Sequence, residues 1–278
     1  MTLNERIDQD LTELYNGREI SAAKTLTKLI KVSTRGLPQH FVGDRNAKTV
    51  LVMLNPGGDA KEADRNVRCA TIDYDRSDKE AFIRSYAKDK KYFGKKDNNR
   101  TDHFDIKQAA FLKPWKETGI DLPAGFPRDK ATHLAAKESV LMKKLQLELV
   151  PYASRSFDLK RRENPEPLFQ FVKTMLEEIF RKDRSIVIFG AGLFERIFIA
   201  YNKHIGENVF SVGPVRHSDP LKPGGKLRGK CRLVEICFKG EKRHALIANT
   251  FASRALSQAY ELMERYGRFC ASVLQCRS

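Results

Sequence analysis

The reading of the fold turns on Lys48-Thr49-Val50-Leu51-Val52-Met53-Leu54-Asn55-Pro56-Gly57-Gly58-Asp59. Its apolar run is short and stops at a proline and two glycines, which is the pattern of a buried strand rather than a helix. Proline cannot donate to a sheet ladder and paired glycines free the backbone for positive φ, so the strand must end there. Asn55 therefore sits on the turn just past a strand's carboxyl end, the edge at which open α/β sheets bind ligands. The same asparagine could equally serve only to cap a tight turn.

Outward from this strand the pattern repeats. Leu145-Gln146-Leu147-Glu148-Leu149-Val150 ends in Pro151-Tyr152-Ala153-Ser154, and Ser185-Ile186-Val187-Ile188-Phe189 ends in Gly190-Ala191-Gly192. His244 to Ala248 runs into Asn249-Thr250-Phe251-Ala252-Ser253-Arg254, and Leu233 to Phe238 reads as its paired strand. Helical spacing marks Thr2 to about Lys31, Pro167 to Arg181, a stretch from about Lys130, and Ala255 to Phe269. Residues 205–230, rich in Gly, Pro and Lys, read as a connection in which His217 and Lys222 either touch phosphates or merely fill a loop. Strands alternating with helices predict an α/β three-layer sandwich: a central, mostly parallel four-stranded sheet flanked by helices. The 278 residues are expected to form a single domain, with an N-terminal helical segment at 1–35 and a basic insertion at 59–103. The Gly190-x-Gly192 turn suggests a dinucleotide site, but Arg196 stands where the third glycine belongs and the second half of such a fold is absent.

A 41% hydrophobic content suffices for a sizeable core. The 51 Lys+Arg against 35 Asp+Glu leave a formal charge of +16, which points to an acidic polymer, nucleic acid first and anionic membrane second. No apolar stretch approaches the roughly 20 residues of a membrane span, and no signal peptide opens the chain. Cys69, Cys231, Cys237, Cys270 and Cys276 form no Cys-x-x-Cys pair, which argues for a reducing cytoplasm and against zinc or an iron–sulfur cluster. Within the insertion, Lys88, Lys90, Lys91, Lys95, Lys96 and Arg100 surround Tyr92-Phe93-Gly94. That stretch reads either as a solvated surface arm or as a DNA-facing one with lysines on phosphates and an aromatic on a base.

The Asn55-Pro56-Gly57 turn resembles the first motif of the uracil-DNA glycosylase superfamily, in the form used by its mismatch-specific and single-strand-selective branches. Met53 departs from the glycine those branches usually carry two residues before the asparagine. The resemblance implies that Asn55 holds the water attacking the sugar C1′, with Asp59 as the one nearby carboxylate able to assist. It implies that Pro56, Gly57 and Gly58 line the base and that Tyr152 and Ser154 replace the usual base-reading asparagine, unless those two only pack, the Pro-Tyr-x-Ser turn being similar to that of bacterial relatives. At the second motif the family's histidine and proline are missing. Asn249 is left for the base, Ser253 for a phosphate and Arg254 as the wedge, unless Ser253 is only a helix cap and Arg254 merely solvent-exposed. An aromatic stacking on the base is implied as well, with Tyr92, Phe93 and Phe104 as alternatives.

The function so implied is a monofunctional DNA glycosylase, a cytoplasmic and monomeric protein that binds DNA and needs neither metal nor cofactor. Gly57 stands where uracil-specific members carry a tyrosine that blocks pyrimidine C5. The preferred substrate is then a 5-modified pyrimidine, such as hydroxymethylcytosine or its glucosylated form in viral DNA, which would make the chain an antiviral defence enzyme. The alternatives are a uracil or mismatch repair glycosylase, a catalytically inactive nucleic-acid-binding protein on the same fold, and a nucleotide or RNA-processing hydrolase. The last lacks an Asp/Glu cluster for Mg²⁺.

Overall fold

The computed structural model describes residues 1–55, 103–120, 122, 140, 143–154, 157, 159–160, 163–252, 256 and 259–276. Pro56, Gly57, Gly58, Asp59, Ser253, Arg254, Tyr92 and Phe93 lie outside the described residues, as do nearly all of the 59–103 insertion and most of the helix expected from Lys130. In chain order the described elements are α1 (Leu3–Tyr15), α2 (Ser21–Leu26), β1 (Phe41–Gly43), β2 (Thr49–Met53), α3 (His103–Leu112), β3 (Lys144–Glu148), α4 (Phe169–Phe180), β4 (Ile186–Phe189), α5 (Leu193–Ile205), β5 (Phe210–Val212), β6 (Arg216–Pro220), β7 (Arg228–Phe238), β8 (Glu241–Ile247) and α6 (Tyr260–Gln275).

The protein is α/β, a mixed eight-stranded sheet flanked by helices, in the order β1-β3-β2-β4-β8-β7-β5 with β6 on β7. This corrects the expected four-stranded, mostly parallel sheet. The four expected strands exist as β2, β3, β4 and β8, and they are neighbours. β2, β4 and β8 are parallel, whereas β7 is antiparallel to β8, β5 and β6. The extra strands come largely from residues 205–230, read above as a connection. Their alternation carries charge rather than apolar residues on the exposed side, so no apolar run announces them. No helix among the described residues is long and apolar enough to cross a membrane.

The chain divides into two compact units, the first comprising Met1–Val42, Met53–Asn98 and Gln146–Lys182. Here α1 opens on a capping box, with the Thr2 N–H on Glu5 Oε2 at 2.7 Å and the Glu5 N–H on Thr2 Oγ1 at 3.3 Å. Leu3, Ile7, Leu11 and Leu14 recur at helical spacing, are buried, and pack α1 on α4. The sequence reading carries one helix to about Lys31, but Gly17, at φ +72°, ends α1 in the left-handed region that glycine adopts without strain. On α4, Phe171, Val172, Met175, Leu176 and Ile179 are buried. Each such side chain contributes about 1.5–3 kcal/mol of burial free energy.

The second unit comprises Gly43–Val52, Asn99–Leu145 and Asp183–Ser278. β2 and β4 pair with Val50 beside Val187 and Leu51 beside Ile188, and all four are buried. Val/Ile runs buried on both faces are what a parallel ladder covered by helices requires. Phe189 meets Phe194 and Phe198 of α5 at ring-centroid distances of 5.0 and 4.8 Å, and Phe198 stacks on Phe210 at 3.8 Å. On α6, Gly267 lets α3 approach, since a Cβ there would lie 2.0 Å from the Phe111 carbonyl oxygen.

Candidate functional site

Asn55 lies in the first unit, two residues past the end of β2. The Leu149 N–H donates to Met53 O at 2.8 Å and the Val150 N–H to Leu54 O at 2.9 Å, so the chain after β3 runs beside the chain after β2. The turn that follows is held from outside, by the Gln39 N–H on Pro151 O at 2.7 Å and the Ser33 N–H on Ala153 O at 2.9 Å. Those bonds place Ser154, only 5% exposed, where its hydroxyl accepts from Asn55 Nδ2 at 3.0 Å. Two site residues named from sequence, 99 positions apart, therefore meet side chain to side chain. The contact orients the Asn55 amide.

Tyr152 has a different partner from the one expected. Its hydroxyl donates to Asp10 Oδ2 on α1 at 2.8 Å, and the residue is 1% exposed. His40 Nε2 lies 3.1 Å from the same carboxylate oxygen, and the Tyr152 ring meets Phe171 edge-on. Burial pushes the Tyr152 phenol well above its ordinary value, and the Asp10 carboxylate adds to the effect. The phenol thus stays a donor across the accessible pH range. This placement makes Tyr152 a support for the 151–154 turn, with its hydroxyl spent inside the protein.

Asn249 lies in the second unit, in the turn after β8. Parallel pairing puts the carboxyl ends of β2, β4 and β8 at one edge, where the Gly190 N–H reaches Val52 O at 2.8 Å and the Ala248 N–H reaches Phe189 O at 2.8 Å. At that edge Asn249 lies against Gly192, whose Cβ, were there one, would be 2.9 Å from Asn249 Nδ2. Asn249 Oδ1 is buried and has no hydrogen-bond partner among the described residues. Burying a carbonyl oxygen without a donor costs about 1–3 kcal/mol, so this atom suits a donor brought by a ligand. Thr250 is fixed by the buried Tyr266, to whose hydroxyl its N–H donates at 3.1 Å.

Sequence reasoning did not single out Lys107. It is 6% exposed, and its ammonium lies 5.0 Å from the centroid of the Phe251 ring, in the same turn as Asn249. Burial lowers its pKa to about 8. Its position on α3 carries a weak sequence signal, a lysine that with Gln108 interrupts an otherwise apolar stretch of 106–112.

A 490 Å³ cleft in this unit lies at the opposite ends of the same strands, lined by Trp115, Arg184, Ile186, Glu241 and His244 among others. None of the residues expected to act on a substrate lines it. Among the described residues, no three His, Cys, Asp or Glu side chains are grouped so as to hold a metal ion. Compared with protein-family models, curated proteins and solved structures, the chain matches none of them.

Proposed function

We propose that this chain is a DNA glycosylase that extrudes a modified pyrimidine and hydrolyses its N-glycosidic bond, leaving an abasic site. The observation that carries the reading is the Asn55–Ser154 contact. An asparagine at a strand's carboxyl end has its amide plane fixed by a buried hydroxyl from the neighbouring turn. A fixed amide suits the positioning of a water better than a turn cap requires.

A base inside a duplex cannot reach a pocket at a sheet edge, so it is flipped out at a cost of a few kcal/mol. Cleavage builds positive charge on the sugar and negative charge on the departing base. A cation-like sugar accepts a weak nucleophile, so Asn55 needs only to orient the water, with Asp59 as the assisting carboxylate. In this reading Ser154 is a positioning residue acting through Asn55. The Asn249 carbonyl oxygen accepts from the base, and an amino group such as that on cytosine C4 is the donor it suits. Arg254 is the wedge and Ser253 a phosphate contact. The chemistry calls for no metal or cofactor, and the formal charge of +16 supports DNA as the partner.

The substrate we assign is a 5-modified pyrimidine, hydroxymethylcytosine or its glucosylated form, with Gly57 and Gly58 leaving room beside C5. The cellular role that follows is defence against viral DNA, carried out by a cytoplasmic monomer. Duplexes carrying uracil, a thymine mismatch, 5-hydroxymethylcytosine or its glucosylated form, scored for alkali-labile abasic sites, test this. Best release from uracil would assign the chain to base-excision repair. No release from any duplex, with binding intact, would leave a non-catalytic nucleic-acid-binding protein.

A further inference from the structure

We propose that the exposed basic face of the β6–β7 hairpin is a binding track for the phosphodiester backbone of nucleic acid; it rests on the glycosylase reading for its choice of DNA. In the first half of β7, exposure alternates. Arg228 and Lys230 are exposed, whereas Gly229 and Cys231 are buried. Side chains two apart on a strand share a face, so Arg228 and Lys230 project together. β6 runs antiparallel to β7 with His217 directly opposite Lys230, which brings His217 onto that face. Across 216–230 the chain has Arg216, Lys222, Lys226, Arg228 and Lys230 against Asp219 alone. The next basic residue on this face, Arg232, is already taken, with its Nε 3.0 Å from Glu195 Oε2.

Arg228 and Lys230, like charges two apart on one exposed strand face, repel each other weakly through water. A polyanion laid across the face removes that repulsion. Arg228 and Lys230 are about 7 Å apart along the strand, comparable with the step between successive phosphates of one nucleic-acid strand. The face also lacks the large apolar side chains that would insert into a lipid surface.

The other side of the hairpin shows how the track is held. Gly229 packs closely against Tyr266, where a Cβ would lie 2.6 Å from a ring carbon. The Tyr266 hydroxyl donates to Lys230 O at 2.6 Å and accepts the Thr250 N–H at 3.1 Å, and the Lys230 N–H donates to Thr250 Oγ1 at 2.8 Å. Three hydrogen bonds therefore lock the strand that carries Lys230 to the turn that carries Asn249. A backbone lying on the basic face is positioned relative to that turn without any contact to a base, and binding here is independent of sequence.

The test is equilibrium binding of the full chain to a labelled duplex with no modified base, across a series of salt concentrations. Each phosphate contact contributes about 0.9 to the slope of log affinity against log salt. The double variant Arg228→Gln/Lys230→Gln should lower that slope by about 2 and weaken binding at least tenfold at moderate salt. The control Lys28→Gln/Lys31→Gln, at exposed positions in the first unit, should leave both unchanged. Because the β7 substitutions are on the surface, unchanged thermal unfolding establishes that the variant is folded. A slope equal to that of the wild type, in a protein that still binds DNA and releases a base, overturns the track and leaves the glycosylase reading standing. A wild-type chain that neither binds DNA nor releases a base, but binds anionic vesicles through Arg228 and Lys230, overturns both.

Discussion

Replacing Tyr152 by Phe separates a support role from a base contact. The substitution removes one hydroxyl and leaves the ring against Phe171 in place. What is lost is the donor at 2.8 Å to Asp10 Oδ2, on a carboxyl group that is fully buried. Asp10 Oδ1 already has no hydrogen-bond partner among the described residues, and His40 would be left as the neighbour of Oδ2. A hydrogen bond to a charged group contributes about 1.5–3 kcal/mol, and stripping it from a buried acceptor exposes the full desolvation cost. We expect Tyr152→Phe to lose about 2–3 kcal/mol in urea unfolding, and Asp10→Asn, which removes the charge, to make the added effect of Tyr152→Phe smaller. Base release per folded molecule should stay within about twofold of wild type. A stability change under about 0.5 kcal/mol together with a tenfold fall in release would refute the reasoning, and would return Tyr152 to the base.

Two further expectations concern the second unit. Gly192→Ala places a Cβ 2.9 Å from Asn249 Nδ2, the end of a side chain that can move. Stability should therefore change by less than about 1 kcal/mol, while release falls at least tenfold because the Asn249 amide is displaced; unchanged release would remove Asn249 from the site. Lys107 titrates near 8 in the folded chain against an ordinary 10.5, so between those values the unfolded chain binds more protons and stability rises with pH. Below about 8 both states are protonated and the penalty is complete. Lys107→Met should stabilise by about 1–2 kcal/mol at pH 7, allowing for solvent screening of the ammonium, and the gain should vanish above about pH 10.5. Equal wild-type and variant pH profiles in denaturant unfolding would contradict this.

The strands legible in the sequence were those whose physics is local. β2 and β4 are apolar runs, β3 alternates around Leu145 and Leu147, and β8 ends in Ala245-Leu246-Ile247; each is cut by proline, glycine or asparagine, and their edge is where such turns place polar groups. β6, Arg-His-Ser-Asp-Pro, has no apolar run; its ladder to β7 and the packing of Gly229 on Tyr266 hold it, and neither is visible locally. α3 has no polar face to give a helical period, because 106–112 are buried all round. The same division applies to the site. Asn55 could be picked out from its own turn, whereas the Ser154 hydroxyl meets it only because the chain after β3 runs beside the chain after β2. The role of Tyr152 is not legible from its own turn, because its partner, Asp10, lies 142 residues away on α1.

The measurement closest to the central claim is single-turnover base release by wild type and Asn55→Ala, with duplex affinity measured in parallel on the same 5-hydroxymethylcytosine and glucosylated substrates. Losing the group that orients the water should lower release by at least 10³-fold, about 4 kcal/mol of transition-state stabilisation, while affinity stays within about twofold. Ser154→Ala, which frees the Asn55 amide to rotate, should fall between the two. Full turnover by Asn55→Ala would contradict the account, because the asparagine at the end of β2 would then be only a turn.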